Sequence, residues 1–259
     1  MIASDSKWDN PPAHIRPADG EVHVWRAHLH WAASQLSSLQ QTLSSDELQR
    51  AGRFQFERDR LNFVVSRGVL RNILAYYLGV KPGEITFKYS PYGKPALAFT
   101  NATLSFNMSH SSGLALYAIT RGGRVGVDVE YVKPGLPTDG LAQKFFTPGE
   151  TATLLALPPA VRHEAFFTYW TYKEAYLKAR GEGVAMGLKG LDVSSSTGAR
   201  GALVSNTNDQ AEVERWTSWE VTPGAGYKAA VVVEGDCYHL RCWQWTVDLV
   251  HRAQVAAND

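Results

Sequence analysis

Six residues limit the folds open to this chain more than any other stretch: Val125-Gly-Val-Asp-Val-Glu130. A period of two puts Val125, Val127 and Val129 on one face of a strand and Gly126, Asp128 and Glu130 on the other. The valine face needs an apolar layer to cover it, so the segment belongs to a sheet packed on a core. The opposite face sets two carboxylates side by side, and like charges that close repel unless a cation lies between them. One reading is a hard divalent ion, with oxygen-only ligation favouring Mg2+ or Mn2+. The other is a polar strand face turned to water. Gly126, on the acidic face, is expected to leave room for a ligand.

Helical and extended patterns surround this strand. Phe63, Leu70, Ile73, Leu74 and Tyr77 recur at helical spacing within 59–78, with Gly79 as the stop. Arg60, Arg67 and Arg71 form a stripe along the edge of that apolar arc; with Arg50 and Arg53, such a stripe is ordinarily a solvated face. Ser44-Ser-Asp-Glu47 reads as a helix start with acidic residues in its first turn. Strands are expected over 21–25, 104–108, 114–120, 216–221, 227–233 and 239–247, a loop over 133–140, and helices over 141–157 and 162–180, the last stopped by Gly181. Both halves run helix and then strands. The expected fold class is therefore α+β with two similar halves, 1–121 and 122–259, joined near Arg121 to Arg124.

The helix over 162–180 carries Trp170-Thr-Tyr-Lys-Glu-Ala-Tyr-Leu-Lys178. Glu174 and Lys178 are four apart and share a face, the spacing of an ordinary surface ion pair. Phe166, Phe167, Trp170, Tyr172, Tyr176 and Leu177 make the helix so apolar that much of it must be buried, which moves its charges into a cleft. Upstream, Tyr92-Gly-Lys-Pro95 is a turn with one lysine, and Asn107-Met-Ser-His-Ser-Ser112 ends a strand in a polar cluster. Singly these are turn chemistry and satisfied structural groups. Together they pair a cationic wall with a carboxylate centre, the two halves of a site for a phosphorylated substrate.

Composition removes several alternatives. The 259 residues are 44% hydrophobic, enough for a substantial core. A formal net charge of +1 announces neither nucleic acid nor a membrane as partner, so electrostatic recognition must be local. No run approaches the length of a membrane span, and the polar stretch 1–20 lacks a secretory apolar segment, so the expected location is cytoplasmic. The two cysteines, Cys237 and Cys242, show no zinc or disulfide spacing and are expected to stay reduced. The sequons at Asn101 and Asn107 are then chance matches.

Five segments in order resemble the Sfp-type 4'-phosphopantetheinyl transferases: Tyr92-Gly-Lys-Pro95, Phe106-Asn-Met-Ser-His-Ser111, Val125-Gly-Val-Asp-Val-Glu130, Phe145-Phe-Thr-Pro-Gly-Glu150 and Trp170-Thr-Tyr-Lys-Glu-Ala-Tyr-Leu-Lys178. The resemblance runs from about Arg50 to about Asp192. It implies a monomer of two similar α/β halves with coenzyme A as co-substrate in the cleft between them. By resemblance Asp128, Glu130 and Glu174 are metal ligands for Mg2+, with Mn2+ possible, and Lys178 stabilises charge on the diphosphate. Lys94, Ser109 and His110 resemble the residues for the nucleotide portion; Arg50, with Arg67 as a further candidate, resembles those for the 3'-phosphate. Glu174 is the first choice and Glu150 the second for the base that takes the proton from a carrier serine. Some members use a basic residue where this chain has Asn62, and Arg60 or Arg67 is expected to compensate. The implied activity is holo-[acyl-carrier-protein] synthase, acting on an acyl or peptidyl carrier protein of fatty-acid, polyketide, peptide or lysine-pathway type.

Two other classes compete. A Mg2+-dependent phosphohydrolase or nucleotidyl transferase would also use Asp-x-Glu with a helical Glu and Lys, although no Walker pattern is present. A non-catalytic module would bind an acidic carrier protein through the arginine stripe and would need no metal. A Ser109/His110/Asp128 triad is disfavoured because adjacent strand residues point apart and no Gly-x-Ser-x-Gly elbow exists.

Overall fold

The computed structural model of the chain describes residues 6–12, 15–30, 32–98, 104–181, 188–194, 203–206, 215–235 and 239–247. Cys237 and the sequon at Asn101 lie outside them.

The strands are β1 (Glu21–His28), β2 (Phe87–Tyr89), β3 (Pro95–Leu97), β4 (Leu104–Ser111), β5 (Leu114–Arg121), β6 (Val125–Tyr131), β7 (Leu191–Ser194), β8 (Leu203–Asn206), β9 (Trp216–Val221), β10 (Tyr227–Glu234) and β11 (His239–Gln244). The helices are α1 (Ala33–Gln40), α2 (Ser45–Ala51), α3 (Glu57–Leu78), α4 (Thr138–Phe145), α5 (Pro148–Ala156) and α6 (Pro159–Arg180). The class is mixed α+β, as expected.

Two sheets stack at the centre. One has the order β11-β1-β5-β4, the other β6-β10-β9, with β2-β3 and β7-β8 as separate ribbons. Val22, Val24, Leu114, Leu116 and Ala118 of the first meet Val125, Val127, Val129, Val231 and Val233 of the second. The far face of the first sheet is covered by α3, through Val69, Leu70, Ile73 and Leu74 against Trp25, Tyr117 and Ile119. The far face of the second is covered by α6, through Tyr172, Ala175, Tyr176 and Ala179 against Ala230 and Val232. The result is four layers, helix, sheet, sheet, helix, each sheet carrying apolar residues on both faces. The last strand returns to the first sheet, with β11 parallel to β1 and Cys242 opposite Val24. Burial pushes the Cys242 thiol up to about 12, so it is held as an unreactive thiol.

Most expected elements are present, with one division. The pattern over 141–157 is two helices, because Thr147 caps α5 and Pro148 opens it, so the chain must break at Phe146. The helix α4 also takes in 138–140 from the expected loop. Gly79 and Gly181 end α3 and α6 in the left-handed conformation, with φ of 66° and 74°.

Candidate active site

A cleft of about 490 Å3 opens where the edge strands β4 and β6 run side by side, walled by α3 on one side and α6 on the other. Arg50, Phe63, Ser66 and Arg67 line one wall, Met108, Ser109 and His110 the floor, and Asp128, Glu130, Trp170, Glu174 and Lys178 the rest. Eight of the ten expected site residues meet here. Glu150 and Lys94 do not line it.

Strands β4 and β6 are stitched by side chains. Asn107 Oδ1 accepts the Val127 N–H at 2.9 Å, Ser109 Oγ donates to Asp128 Oδ1 at 2.8 Å, and Ser111 Oγ donates to Glu130 Oε2 at 2.8 Å. Asn107, Ser109 and Ser111 alternate along one face of β4, so each acidic residue of β6 has its own serine. The period of two in Ser109 and Ser111 is the signal that could have identified Ser111 as a support for Glu130.

Lys178 Nζ reaches Asp128 Oδ1 at 2.6 Å and Ser109 Oγ at 2.9 Å. Asp128 is 3% exposed, and its second oxygen, Oδ2, is buried without a hydrogen-bond partner among the described residues. Burial, then the Asp128 charge, push the Glu174 carboxyl up to about 7, with Glu130 adding to the shift and Lys178 opposing it. Burial and Asp128 likewise raise Glu130. Three acidic groups thus crowd one ammonium, with the guanidinium groups of Arg50 and Arg67 on the other wall, and a buried Asp128 oxygen has no partner among the described residues. An all-oxygen donor set of this kind fits a hard divalent cation. Among the described residues no three of these side chains already stand in ligating geometry.

The raised Glu174 carboxyl makes stability depend on pH. Its folded pKa of about 7 exceeds the ordinary 4.5, so the folded state binds more protons between those values and loses stability as pH rises through them. Glu174→Gln removes that penalty. In the absence of metal it should melt higher than the parent at pH 8, by up to about 3 kcal/mol or several degrees, with the gap closing near pH 4.5. Melting curves across that range check it, and a gap independent of pH would contradict the assignment.

Other expectations need correction. Gly126 does not leave room for a ligand: a Cβ there would lie 2.0 Å from the Ala175 carbonyl oxygen and 2.4 Å from the Ala179 nitrogen, so the space belongs to α6. The arginine stripe is divided. Arg60 is an exposed ion pair with Glu57. Arg71 is 1% exposed, binds Glu47 at 2.6 Å and donates to the Pro82 and Ile85 carbonyls, a structural hub. Arg67 is 7% exposed beside the same glutamate, at 3.5 Å, with one terminal nitrogen unpartnered among the described residues. Arg50 lies over the Phe63 ring at the cleft mouth. His110 lines the floor, and burial, reinforced by Lys178, lowers its pKa, which favours the neutral ring.

Glu150, the second choice for a base, is committed elsewhere. Its Oε2 is 2.5 Å from Lys173 Nζ and accepts the Thr147 N–H, while Oε1 accepts the Val193 N–H at 2.7 Å. Lys173 is fully buried and also donates to the Leu188 and Leu191 carbonyls. Glu150 thus ties α5, α6 and β7 together and does not line the cleft. Breaking a buried pair by removing one charge costs about 3–5 kcal/mol. Glu150→Gln should therefore lower the melting temperature steeply while the folded fraction keeps a turnover within about threefold of the parent. A large fall in turnover at unchanged stability would restore the base assignment.

Lys94 is the other correction. Its ammonium, lowered to about 8 by burial and then by Arg124, donates to the backbone carbonyls of Val125 and Ala179.

Comparison with known proteins completes the site. Residues 124–232 match the model of the 4'-phosphopantetheinyl transferase superfamily, and 28–121 match that of the 4'-phosphopantetheinyl transferase N-terminal region. The chain is similar to the 4'-phosphopantetheinyl transferase HetI of Nostoc sp., 40% identical over 240 residues, 92% of this chain and 98% of that protein. A 4'-phosphopantetheinyl transferase of Bacillus subtilis is 28% identical, covering 62% of this chain and 70% of its own. The L-aminoadipate-semialdehyde dehydrogenase-phosphopantetheinyl transferase of Xenopus laevis is 27% identical over 82% of this chain and 75% of its own.

Proposed function

The chain belongs to the 4'-phosphopantetheinyl transferase superfamily, and from that membership we propose how its cleft performs the transfer. The enzyme moves the 4'-phosphopantetheine group of coenzyme A to a serine of an apo acyl or peptidyl carrier protein, giving holo carrier protein and 3',5'-ADP. The observation that carries the assignment to this cleft is the meeting of Asp128, Glu130, Glu174 and Lys178 in it, with Asp128 Oδ2 buried and without a hydrogen-bond partner among the described residues.

Asp128, Glu130 and Glu174 would hold Mg2+ or Mn2+, which when bound supplies Lewis-acid polarisation of the diphosphate. Lys178 exchanges its contact with Asp128 for the diphosphate oxygens and stabilises the charge that builds as the bridging P–O bond breaks. Arg50 and Arg67 give the opposite wall the positive charge that the nucleotide phosphates need, and His110 on the floor adds a neutral donor. The serine oxygen of the carrier attacks the pantetheine-side phosphorus, 3',5'-ADP leaves, and the serine proton passes to Glu174. Ser109 and Ser111 orient Asp128 and Glu130 through their hydrogen bonds.

Further parts of the reading rest on the layer order and the family. The two halves, 1–121 and 122–259, correspond as pseudo-two-fold repeats, each a 22-residue helix over a sheet, with β11 lent back to the first. The enzyme works as a cytoplasmic monomer; no described helix is long and apolar enough to cross a membrane. The test is a panel of apo carrier proteins of fatty-acid, polyketide and peptide type, each incubated with enzyme, coenzyme A and Mg2+ and weighed intact. At least one should gain one phosphopantetheine mass, and chelation should stop the gain. Absence of any gain across the panel would end the transfer reading; gain unaffected by chelator would end the metal assignment.

A further inference from the structure

Three backbone carbonyls converge on one ammonium at the edge of the cleft. Lys94 Nζ donates to the carbonyl oxygens of Val125 and Ala179, each at 3.1 Å, and to that of Lys178. An ammonium has three donors, so all are used inside the protein. A tight turn presents the lysine: Gly93 N–H donates to the Ser90 carbonyl at 2.9 Å, Ser90 N–H to the Lys94 carbonyl at 2.9 Å, and Lys94 N–H to Ser90 Oγ at 3.1 Å. The Lys178 and Ala179 carbonyls belong to the last turn of α6, where helical partners run out and a cation is favoured. Val125 is the first residue of β6.

The two elements joined in this way are the ones that carry the reacting groups. Strand β6 supplies Asp128 and Glu130; α6 supplies Glu174 and Lys178. We propose that Lys94 is a positioning residue, whose ammonium pins the start of β6 to the last turn of α6 and so holds Lys178 in register with Asp128. The backbone carbonyl it grips at 178 belongs to the residue whose side chain meets Asp128 at 2.6 Å. Fraying or sliding of this turn would carry Lys178 away from Asp128. Gly126, one residue on from Val125, lets α6 approach β6 at the same end, so the pin and the close approach act on one joint.

This inference rests on the transfer reading above, and its test separates the two. Lys94→Met keeps the aliphatic stem and removes the donors. For carrier loading, kcat should fall about 10- to 100-fold, the size of effect that misplacing a reacting group by about 1 Å can have. KM for coenzyme A, and its Kd by titration calorimetry, should stay within about threefold of the parent. Lys94→Arg, which returns N–H donors to the carbonyls, should recover part of kcat. A coenzyme A KM and Kd raised about tenfold or more with kcat retained would make Lys94 a nucleotide contact and overturn the proposal, as would no change in either constant. Should Lys94→Met fail to fold, Lys94→Gln, with two amide donors, is measured for the same split and judged by the same two outcomes. A parent enzyme that loads no carrier sinks the transfer reading; a parent that loads, with the split reversed in the variant, sinks only this inference.

Discussion

Asp128→Asn should abolish carrier loading, by about a thousandfold or more, while leaving a folded protein that melts no lower than the parent. The two halves of that expectation come from the same atoms. Asp128 is buried, with one oxygen on Lys178 and Ser109 and the other without a hydrogen-bond partner among the described residues. Its charge raises the carboxyl pKa of both Glu130 and Glu174, so the native state is strained by repulsion at neutral pH. Asparagine keeps the shape and an acceptor for Lys178, removes the charge and relieves its neighbours, which offsets the weaker bond to Lys178. For catalysis the charge is indispensable. In the mechanism proposed above, a bound divalent cation would lose an anionic donor, and the diphosphate would lose the charge stabilisation worth several kcal/mol in the transition state. The measurement is intact mass of an apo carrier against time, beside a melting curve and titration of Mg2+ into the protein with coenzyme A. Loading at the parental rate would remove Asp128 from the reaction, and equal Mg2+ affinity would remove it from the metal site.

The sequence was most legible where one element's own periodicity carried the information. The alternation in β6 gave its apolar and acidic faces, and the apolar density of α6 gave the burial of Glu174, because both follow from local geometry alone. What it could not show is which charges are consumed inside the protein. Lys94, Glu150 and Arg71 are cationic or acidic residues in informative places, and each turns out to satisfy partners far along the chain: carbonyls 31 to 85 residues away for Lys94, Val193 for Glu150 and Glu47 for Arg71. A residue type and its spacing cannot tell a ligand contact from a structural pin, since both need the same charge. The alignment of β4 with β6 was hidden for the same reason. The period of two puts Asn107, Ser109 and Ser111 on one face, but only the stacking of the two sheets sets Val127, Asp128 and Glu130 across from them.

Gly126 shows this limit most clearly, and its replacement should be the most damaging small change in the molecule. The sequence shows a missing side chain on an acidic strand face, which reads as space for a ligand; the space is filled by the backbone of α6. In Gly126→Ala the new Cβ would lie 2.0 Å from the Ala175 oxygen, 2.4 Å from the Ala179 nitrogen and 3.0 Å from its Cα. All three are main-chain atoms of a helix clamped by Tyr172, Tyr176 and Leu177 in the core and by Lys94 at its end, so no side chain can swing aside. Either α6 lifts off β6, opening the apolar layer under it, or the strand bends out of the sheet. Either route exceeds the usual overpacking penalty of about 1–3 kcal/mol and should cost about 4 kcal/mol or more, near 10 °C in melting temperature for a chain of this size. Since α6 carries Glu174 and Lys178, any folded remainder should also have lost most of its transfer rate. Gly140→Ala is the matched control: it lies in α4, a Cβ there meets nothing within 4 Å, and alanine should raise stability by up to about 1 kcal/mol. Thermal melts of the two variants beside the parent decide the matter. A Gly126→Ala protein that melts with the parent would mean that α6 does not rest this closely on β6, and the geometry placing Glu174 and Lys178 opposite Asp128 would fall with it.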